Sequence, residues 1–392
     1  MRLCGKIKAI RTAYVVGERG ASVKKKRCLI VTASIGSGHI KAAEALKKSF
    51  AVEDPEMDVS VVDFMTRDIA WKNWFMKSFY LHALSIVPNL YEFFYKLAGG
   101  RRGGTGCQKA FAHVMEKSMQ LLADEYKPDI VVCTHPFPEA AAALMKKQHK
   151  ADFLLATVMT DYCVHQIWLY PEVDQYFFAT EEMRREMMAY GFEPSRLHPF
   201  GIPISMEVSG AMPYPVEEIG ARKDAKIILV MGGGLGLGGI GEALRDLDAL
   251  QNDFEIIVVA GRNETVFEDA LKYSGNSVHK VHVIGYTGRI PELMKASTLL
   301  VSKPGALTIS EAFAAGLPML LHGPIPGPEI ENAIYAAETG AALWVKKRAD
   351  IAKAAGRLLD EPKRIAAMRR CAEMCSKPDA ASYIAKALCR AL

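Results

Sequence analysis

Short apolar runs, each closed by glycine or polar residues and each followed by a segment of helical spacing, recur along this chain and admit few architectures. The first, residues 28–33 (CLIVTA), suits a strand buried on both faces. It passes through Ser34, Ile35, Gly36, Ser37, Gly38 and His39 into IKAAEALKKSF, whose apolar residues return at helical intervals. A strand, a glycine turn and a helix open a βαβ unit. Further strands are predicted at residues 58–64, 129–136 and 153–161, each ending in polar residues at its carboxyl end, where open α/β sheets place their ligands. A second series, at 225–234, 255–261, 279–286, 299–305 and 317–323, follows a proline-rich stretch around 212–215. The expected fold is therefore α/β, with two Rossmann-like parallel-sheet domains facing a central cleft. Their expected bounds are 28–205 and 223–375, joined by a linker at 206–222, preceded by a basic tail at 1–27 and followed by a C-terminal helix at 376–392.

The length of 392 residues agrees with two such domains, and 50% hydrophobic with 24% charged residues excludes disorder. No apolar stretch of the ~18 residues needed to cross a bilayer is free of charges, glycines and prolines. Eight cysteines show neither the density of a disulfide scaffold nor paired CxxC spacing, so they read as reduced thiols of a cytosolic protein. Cys371 and Cys375 lie four apart on a predicted helix with no second pair to complete a metal site. The N-terminus lacks the continuous apolar segment of a secretory signal.

The net charge of +5 is unevenly spread. Residues 1–28 carry nine Lys or Arg against Glu18 alone, and residues 65–109 carry seven basic residues against two acidic ones. The remainder of the chain sums to −8. The second basic stretch is also aromatic, with Trp71, Trp74, Phe75, Phe79, Phe93 and Phe94, and finishes in GGRRGGTG. Two readings fit: an interfacial segment on a membrane, or a helical pair with aromatic core residues.

Two glycine-rich turns carry chemistry. Gly232, Gly233, Gly234 and Gly236 follow the apolar IILVM, where the missing Cβ lets backbone N–H groups approach a phosphate or sugar. Neither GxGxxG with a distant acid nor GxxxxGK[ST] is present, which argues against a standard dinucleotide site and the usual NTPase. At residues 303–318 (KPGALTISEAFAAGLP) a strand ends, Lys303, Pro304 and Gly305 turn, and a helix starts at Ala306, Leu307 and Thr308. Its first N–H groups and its dipole suit a diphosphate. Glu311, one turn inside, can accept ribose hydroxyls, and Glu329 and Asn332 open the next helix toward the same cleft.

These motifs, in this order, resemble the diacylglycerol glycosyltransferases of glycosyltransferase family 28: monogalactosyldiacylglycerol synthases and processive diacylglycerol glucosyltransferases. The resemblance runs from about residue 28 to 346. It rests on the GxGH-type turn at residues 34–39, on Thr160, Asp161, His165 and Trp168, on the GGG turn, on Gly261-Arg262-Asn263, on KPG-x-x-T-x-SEA and on PGxE-x-x-N. It implies a GT-B fold, with a UDP-hexose held by the C-terminal domain and a diacylglycerol-type acceptor by the N-terminal one. It also implies that Tyr286 and the backbone of Thr287 meet the uracil, that Glu311 binds ribose, and that Gly233, Gly234, Arg262, Lys303, Gly305, Ala306, Leu307, Thr308, Glu329 and Asn332 complete the donor site. His39 becomes the candidate general base. A histidine at a helix N-terminus is disfavoured as imidazolium and stays able to accept a proton.

Gly36, Gly38, His135, Asp161, His165 and Trp168 are the expected acceptor side, with Asp161 and His165 either assisting the acceptor or bracing a loop. No cofactor and no metal are expected, the UDP-sugar being a substrate. Many members carry Gln where this chain has Pro328, and that Gln reaches the donor sugar, so glucose and galactose both remain open. Because such enzymes take a membrane-buried lipid, the resemblance favours the interfacial reading of residues 64–106 and a peripheral place on the cytoplasmic membrane face. An acidic body with localised basic segments suits an anionic membrane better than nucleic acid. The competing readings are a UDP-sugar epimerase of the same fold, a non-catalytic lipid-binding protein, and a transferase acting on another lipid or small-molecule alcohol.

Overall fold

The computed structural model describes residues 25–34, 36–65, 106–232 and 239–392. Most of the basic tail, the membrane candidates Trp71, Trp74, Phe75, Phe79, Phe93 and Phe94, and the glycines Gly233 and Gly234 lie outside the described residues.

The first lobe is a six-stranded parallel sheet in the order β2-β1-β3-β4-β5-β6. Its strands are β1 (Arg27–Thr32), β2 (Asp58–Asp63), β3 (Ile130–Cys133), β4 (Leu154–Val158), β5 (Gln175–Phe177) and β6 (Leu197–His198). The helices of this part of the chain are α1 (Ser37–Glu53), α2 (Gly106–Tyr126), α3 (Pro136–Lys147) and α4 (Glu181–Ala189). Residues 28–31 of β1 are at most 2% exposed, as a strand covered on both faces requires. One face buries Leu29, Val31, Val131 and Leu155, and the other Ile30, Val132, Ala156 and Phe50.

The second lobe repeats the scheme in the order β12-β11-β10-β7-β8-β9, again all parallel. Its elements alternate as β7 (Ile227–Met231), α5 (Ile240–Asp248), β8 (Glu255–Val259), α6 (Glu264–Ser274), β9 (Val281–Ile284), α7 (Ile290–Ala296) and β10 (Leu299–Ser302). They continue through α8 (Ala306–Ala315), β11 (Met319–Leu321), α9 (Pro328–Glu338), β12 (Ala342–Trp344), α10 (Ile351–Asp360) and α11 (Pro362–Cys375). Strands β5, β6 and β12 were not expected from the sequence; at 3, 2 and 3 residues they are too short to show a period.

In each sheet the strand order reverses beside the first strand of the lobe, between β1 and β3 and between β7 and β10. Such switch points open a crevice at the carboxyl ends of the strands. The predicted catalytic turn follows β1 and the predicted diphosphate turn follows β10.

After α11 the chain returns to the first lobe. Helix α12 (Ala380–Ala391) packs Ala381, Ile384, Ala385 and Leu388 against Ile30, Leu46 and Phe50, and Ser382 Oγ donates to Glu53 Oε1 at 2.7 Å. At the crossing, Lys377 Nζ donates to the carbonyls of Ala179 and Pro199 at 2.8 and 2.7 Å. Gly201, with φ +108°, lies so close that a Cβ there would be 2.8 Å from Lys377 Cβ. The lobes also meet through α8, whose Ala306, Leu307 and Ala314 join the core of the first lobe. Tyr162 stacks on Tyr335 at 4.4 Å and meets Phe313 edge to face at 6.2 Å. Among the described residues no helix is long and apolar enough to cross a membrane.

Candidate active site

The turn after β1 needs Gly36 in the positive-φ region (φ +91°), which a Cβ disfavours, and the chain then enters α1. His39, two residues after the helix starts at Ser37, is thereby set at a dipole end that opposes positive charge. Its Nδ1 lies 2.8 Å from the carbonyl of Thr134 and 2.7 Å from Thr160 Oγ1. A carbonyl can only accept, so the hydrogen-bond network assigns the ring proton to Nδ1 and leaves the Nε2 lone pair for a proton from elsewhere. Burial lowers the basicity of His39, and the charge of Asp161 and the Thr134 carbonyl partly restore it.

His135 stands beside it, the ring centroids 4.7 Å apart in an edge-to-face pair. It caps α3: its Nδ1 accepts the N–H of Phe137 at 3.1 Å. That bond requires a bare Nδ1 and puts the proton on Nε2, the opposite tautomer to His39. Burial first, and then the neighbouring His39, hold His135 well below the usual histidine range. The pair thus offers one acceptor nitrogen and one donor nitrogen.

On the facing lobe, β10 ends at Ser302 and Gly305 is the N-cap of α8, with no side chain capping the helix. The first amides of α8, at Ala306, Leu307 and Thr308, thus open an uncapped, positively polarised terminus. Lys303 forms an ion pair with Glu329, whose Oε2 also accepts the N–H of Ile325 at 2.8 Å. Glu311 is buried within α8, and burial raises its pKa against the pull of Lys41 on α1, 3.9 Å away across the lobes. Arg262 lies 4.5 Å over the ring of Tyr286, which is 64% exposed and forms a platform beyond β8 and β9. Thr287 Oγ1 accepts the N–H of Arg289 at 3.0 Å, bracing that loop. Pro328 occupies the first turn of α9 just after Gly327 at φ +111°, a place where its missing N–H costs nothing.

The lobes are tied at the site itself. Asn332 Oδ1 accepts the backbone N–H of Tyr162 at 2.8 Å, and its Nδ2 donates to Asp161 Oδ1 at 3.1 Å. Tyr162 Oη and Ser310 Oγ are 2.8 Å apart. Gly38 faces Leu307, whose Cβ would lie 3.8 Å from a Cβ on the glycine.

The structure brings His39, His135, Asp161 and Asn332 together, with Lys303, Glu311 and Glu329 on the second lobe. It places Asn332 differently from expectation: instead of facing the cleft, it is fully buried with its amide engaged on the other lobe. His165 caps the turn Gln166–Trp168 by accepting the N–H of Ile167, and Trp168 is 3% exposed in the core of the first lobe. Sequence reasoning passed over Thr134, Tyr162 and Lys41, and took Ser310 only as a letter of the SEA motif. Lys41 carried a signal in its place two residues after the candidate base, and Ser310 in its motif. Among the described residues no group of three His, Cys, Asp or Glu side chains is arranged to hold a metal.

Two parallel six-stranded sheets with switch points facing across a cleft define the GT-B class. Solved structures agree at the level of fold: an S. aureus MnaA–UDP co-structure superposes with a TM-score of 0.62 at 14% identity, covering 92% of this chain and 94% of that one. Acinetobacter baumannii MurG gives 0.60 at 13% identity, covering 93% and 99%. The family model for monogalactosyldiacylglycerol synthase matches residues 39–204, and that for the glycosyltransferase family 28 C-terminal domain matches 227–384. A processive diacylglycerol beta-glucosyltransferase of Bacillus mycoides (strain KBAB4) is 30% identical over 375 residues, 92% of this chain and 93% of that protein. Another, from Bacillus cereus (strain B4264), is 31% identical over 379 residues, 93% and 94% of the two chains. The chain belongs to the diacylglycerol glycosyltransferases of glycosyltransferase family 28 and is a UDP-sugar-dependent hexosyltransferase.

Proposed function

We propose that the protein transfers glucose or galactose from a UDP-sugar to the hydroxyl of diacylglycerol, with inversion at the anomeric carbon, on the cytoplasmic face of a membrane. The observation that carries this reading is the His39 tautomer, with Nδ1–H held by Thr134 and Nε2 left as acceptor at the cleft end of α1. In this reading Nε2 takes the proton from the acceptor hydroxyl as its oxygen attacks the anomeric carbon from the face opposite UDP. The bond from that carbon to the UDP oxygen breaks, and the electron pair leaves with UDP. The departing charge meets Lys303 and the amides of Ala306, Leu307 and Thr308 at the positive end of α8. Glu311 receives the ribose hydroxyls, Tyr286 with Arg262 and Thr287 the uracil, and Gly233 and Gly234 the sugar or phosphate. His135, with Nε2–H as donor, holds the acceptor oxygen near the base.

Names of relatives support glucose, and the name of the matched family supports galactose. The sum of −8 outside the two basic segments supports docking with those segments toward an anionic bilayer, at about 1 kcal/mol per basic residue near the surface. The reading assigns no metal and no cofactor to the reaction. Purified protein with diacylglycerol liposomes and a panel of UDP-sugars, the lipid product identified by mass, tests it. A glycosylated diacylglycerol is expected. An epimerised UDP-sugar formed without lipid, or no lipid product with any donor, would overturn the reading.

A further inference from the structure

Asn332 is fully buried on α9, yet it belongs functionally to neither a core nor an open cleft. Its Oδ1 takes the N–H of Tyr162 and its Nδ2 gives to the Asp161 carboxylate, at 2.8 and 3.1 Å. A carboxamide serves an N–H and a carboxylate at once without carrying charge. Both partners are in the first lobe and directly follow Thr160, whose hydroxyl is 2.7 Å from His39 Nδ1. One helical turn before Asn332 stands Glu329, ion-paired to Lys303 at the mouth of the uncapped α8. A continuous set of contacts therefore runs from Lys303 through Glu329 and α9 to Asn332, and from there through Asp161 and Thr160 to His39.

Resting on the functional reading above, we propose that Asn332 is a positioning residue that couples seating of the UDP-sugar in the second lobe to alignment of His39 in the first. A diphosphate at Lys303 competes with Glu329 for the ammonium group, and the first turn of α9, which bears Glu329, responds. Asn332 carries that response to Asp161. The titratable and charged groups around His39 are Asp161 from the loop after β4 and His135 from the loop before α3. Lys41 lies further along its own helix, paired with Glu311 of the other lobe.

The test uses the full chain as wild type, N332A, D161N, N332A/D161N, N332D and the swapped pair N332D/D161N. Each is assayed for kcat and KM with UDP-glucose and diacylglycerol liposomes across pH 5–9, and by small-angle scattering without ligand. N332A is expected to lower kcat between about tenfold and a hundredfold, the range in which misalignment without loss of a reacting group falls. KM for UDP-glucose should stay within about threefold. The acid limb of kcat/KM should move to lower pH, as in D161N, because a released Asp161 no longer favours the imidazolium of His39. N332A/D161N should be no worse than the poorer single variant. N332D sets two carboxylates face to face and should expand the ligand-free protein, and the swapped pair should restore both the compact scattering profile and part of the lost kcat. A higher KM for UDP-glucose with kcat unchanged, additive losses, an unmoved acid limb, or a swap no better than N332D would each overturn the proposal. Should wild type transfer no sugar, the functional reading fails by itself. Scattering then still decides whether the Asn332–Asp161 contact holds the lobes together, and equal dimensions for wild type and N332D would reject it.

Discussion

Thr134 and His39 exchange two hydrogen bonds. The carbonyl of Thr134 accepts the Nδ1–H of His39 at 2.8 Å, and its hydroxyl donates to the His39 carbonyl at 3.1 Å. One residue follows β3 and the other opens α1, so the two sides of the switch point in the first sheet are clamped together. The clamp sets ring orientation and tautomer and leaves Nε2 outside both bonds.

Replacing that nitrogen is the direct check. His39→Ala should lower kcat by about 10² to 10⁴, the usual worth of general base catalysis, while the Kd for UDP measured by calorimetry stays within about twofold. Near-normal turnover would remove His39 from the role.

The pH profile follows from the direction in which burial moves His39. In the proposed mechanism the base is the neutral ring of His39, and burial holds its pKa below the usual 6.5. The acid limb of kcat/KM should accordingly fall below pH 6.5, with activity retained as pH drops through 6.5 itself. A limb centred above pH 7 would contradict the buried, neutral ring.

Glu311→Ala should raise KM for the UDP-sugar by about one to two orders of magnitude, because a buried acceptor for sugar hydroxyls is lost. The discriminating measurement uses 2′-deoxy-UDP as inhibitor: it should bind wild type much more weakly than UDP does and bind the variant about as weakly as UDP does. A preference for UDP that survives in the variant would place the ribose elsewhere.

Gly201→Ala tests the crossing of the chain back to the first lobe. Alanine would have to adopt φ +108° with its Cβ 2.8 Å from Lys377 Cβ, against a side chain anchored on two carbonyls. A loss of about 2 kcal/mol or more is expected in urea unfolding. An unchanged midpoint would mean that the crossing yields easily.

Glu139 on α3 has no exposed surface and accepts from Thr157 Oγ1 at 2.7 Å. Burial raises its pKa well above the usual value, so the folded state holds its proton more tightly than the unfolded chain. That contribution is full below the unfolded carboxylate pKa and is lost as pH rises through the folded one. Glu139→Gln, which cannot ionise, should therefore gain in melting temperature over wild type between pH 5 and pH 8, and a constant difference would count against the buried acid.

The elements that carry chemistry were the most legible. Strand β1 holds the apolar run Cys28–Val31, α1 and α8 begin at glycines, and the alternation of runs with helical spacing identifies two parallel sheets. Local pattern cannot report what lies across a boundary between bodies. The PGxE-x-x-N motif makes Asn332 read as a donor contact; only the docked lobes show that Asp161 and Tyr162 occupy its amide. Trp168 reads as an acceptor contact in the sequence, but the turn that bears it packs on α3 and Tyr176 Oη donates to its carbonyl at 3.0 Å. The helix expected at 376–392 was visible, but not that its apolar stripe, with Ile384 and Leu388, belongs to the first lobe.

That return of α12 has a mechanical consequence. Two bodies joined by one strand of chain can swivel in every direction, whereas two bodies joined at two separated points turn about the line between them. The chain passes between lobes once in the stretch before β7 and again at Lys377, where the side chain is pinned to Ala179 and Pro199. Two such crossings restrict any turning of one lobe against the other to the line that joins them. Tyr162, Asn332 and Asp161 form a catch between the lobes.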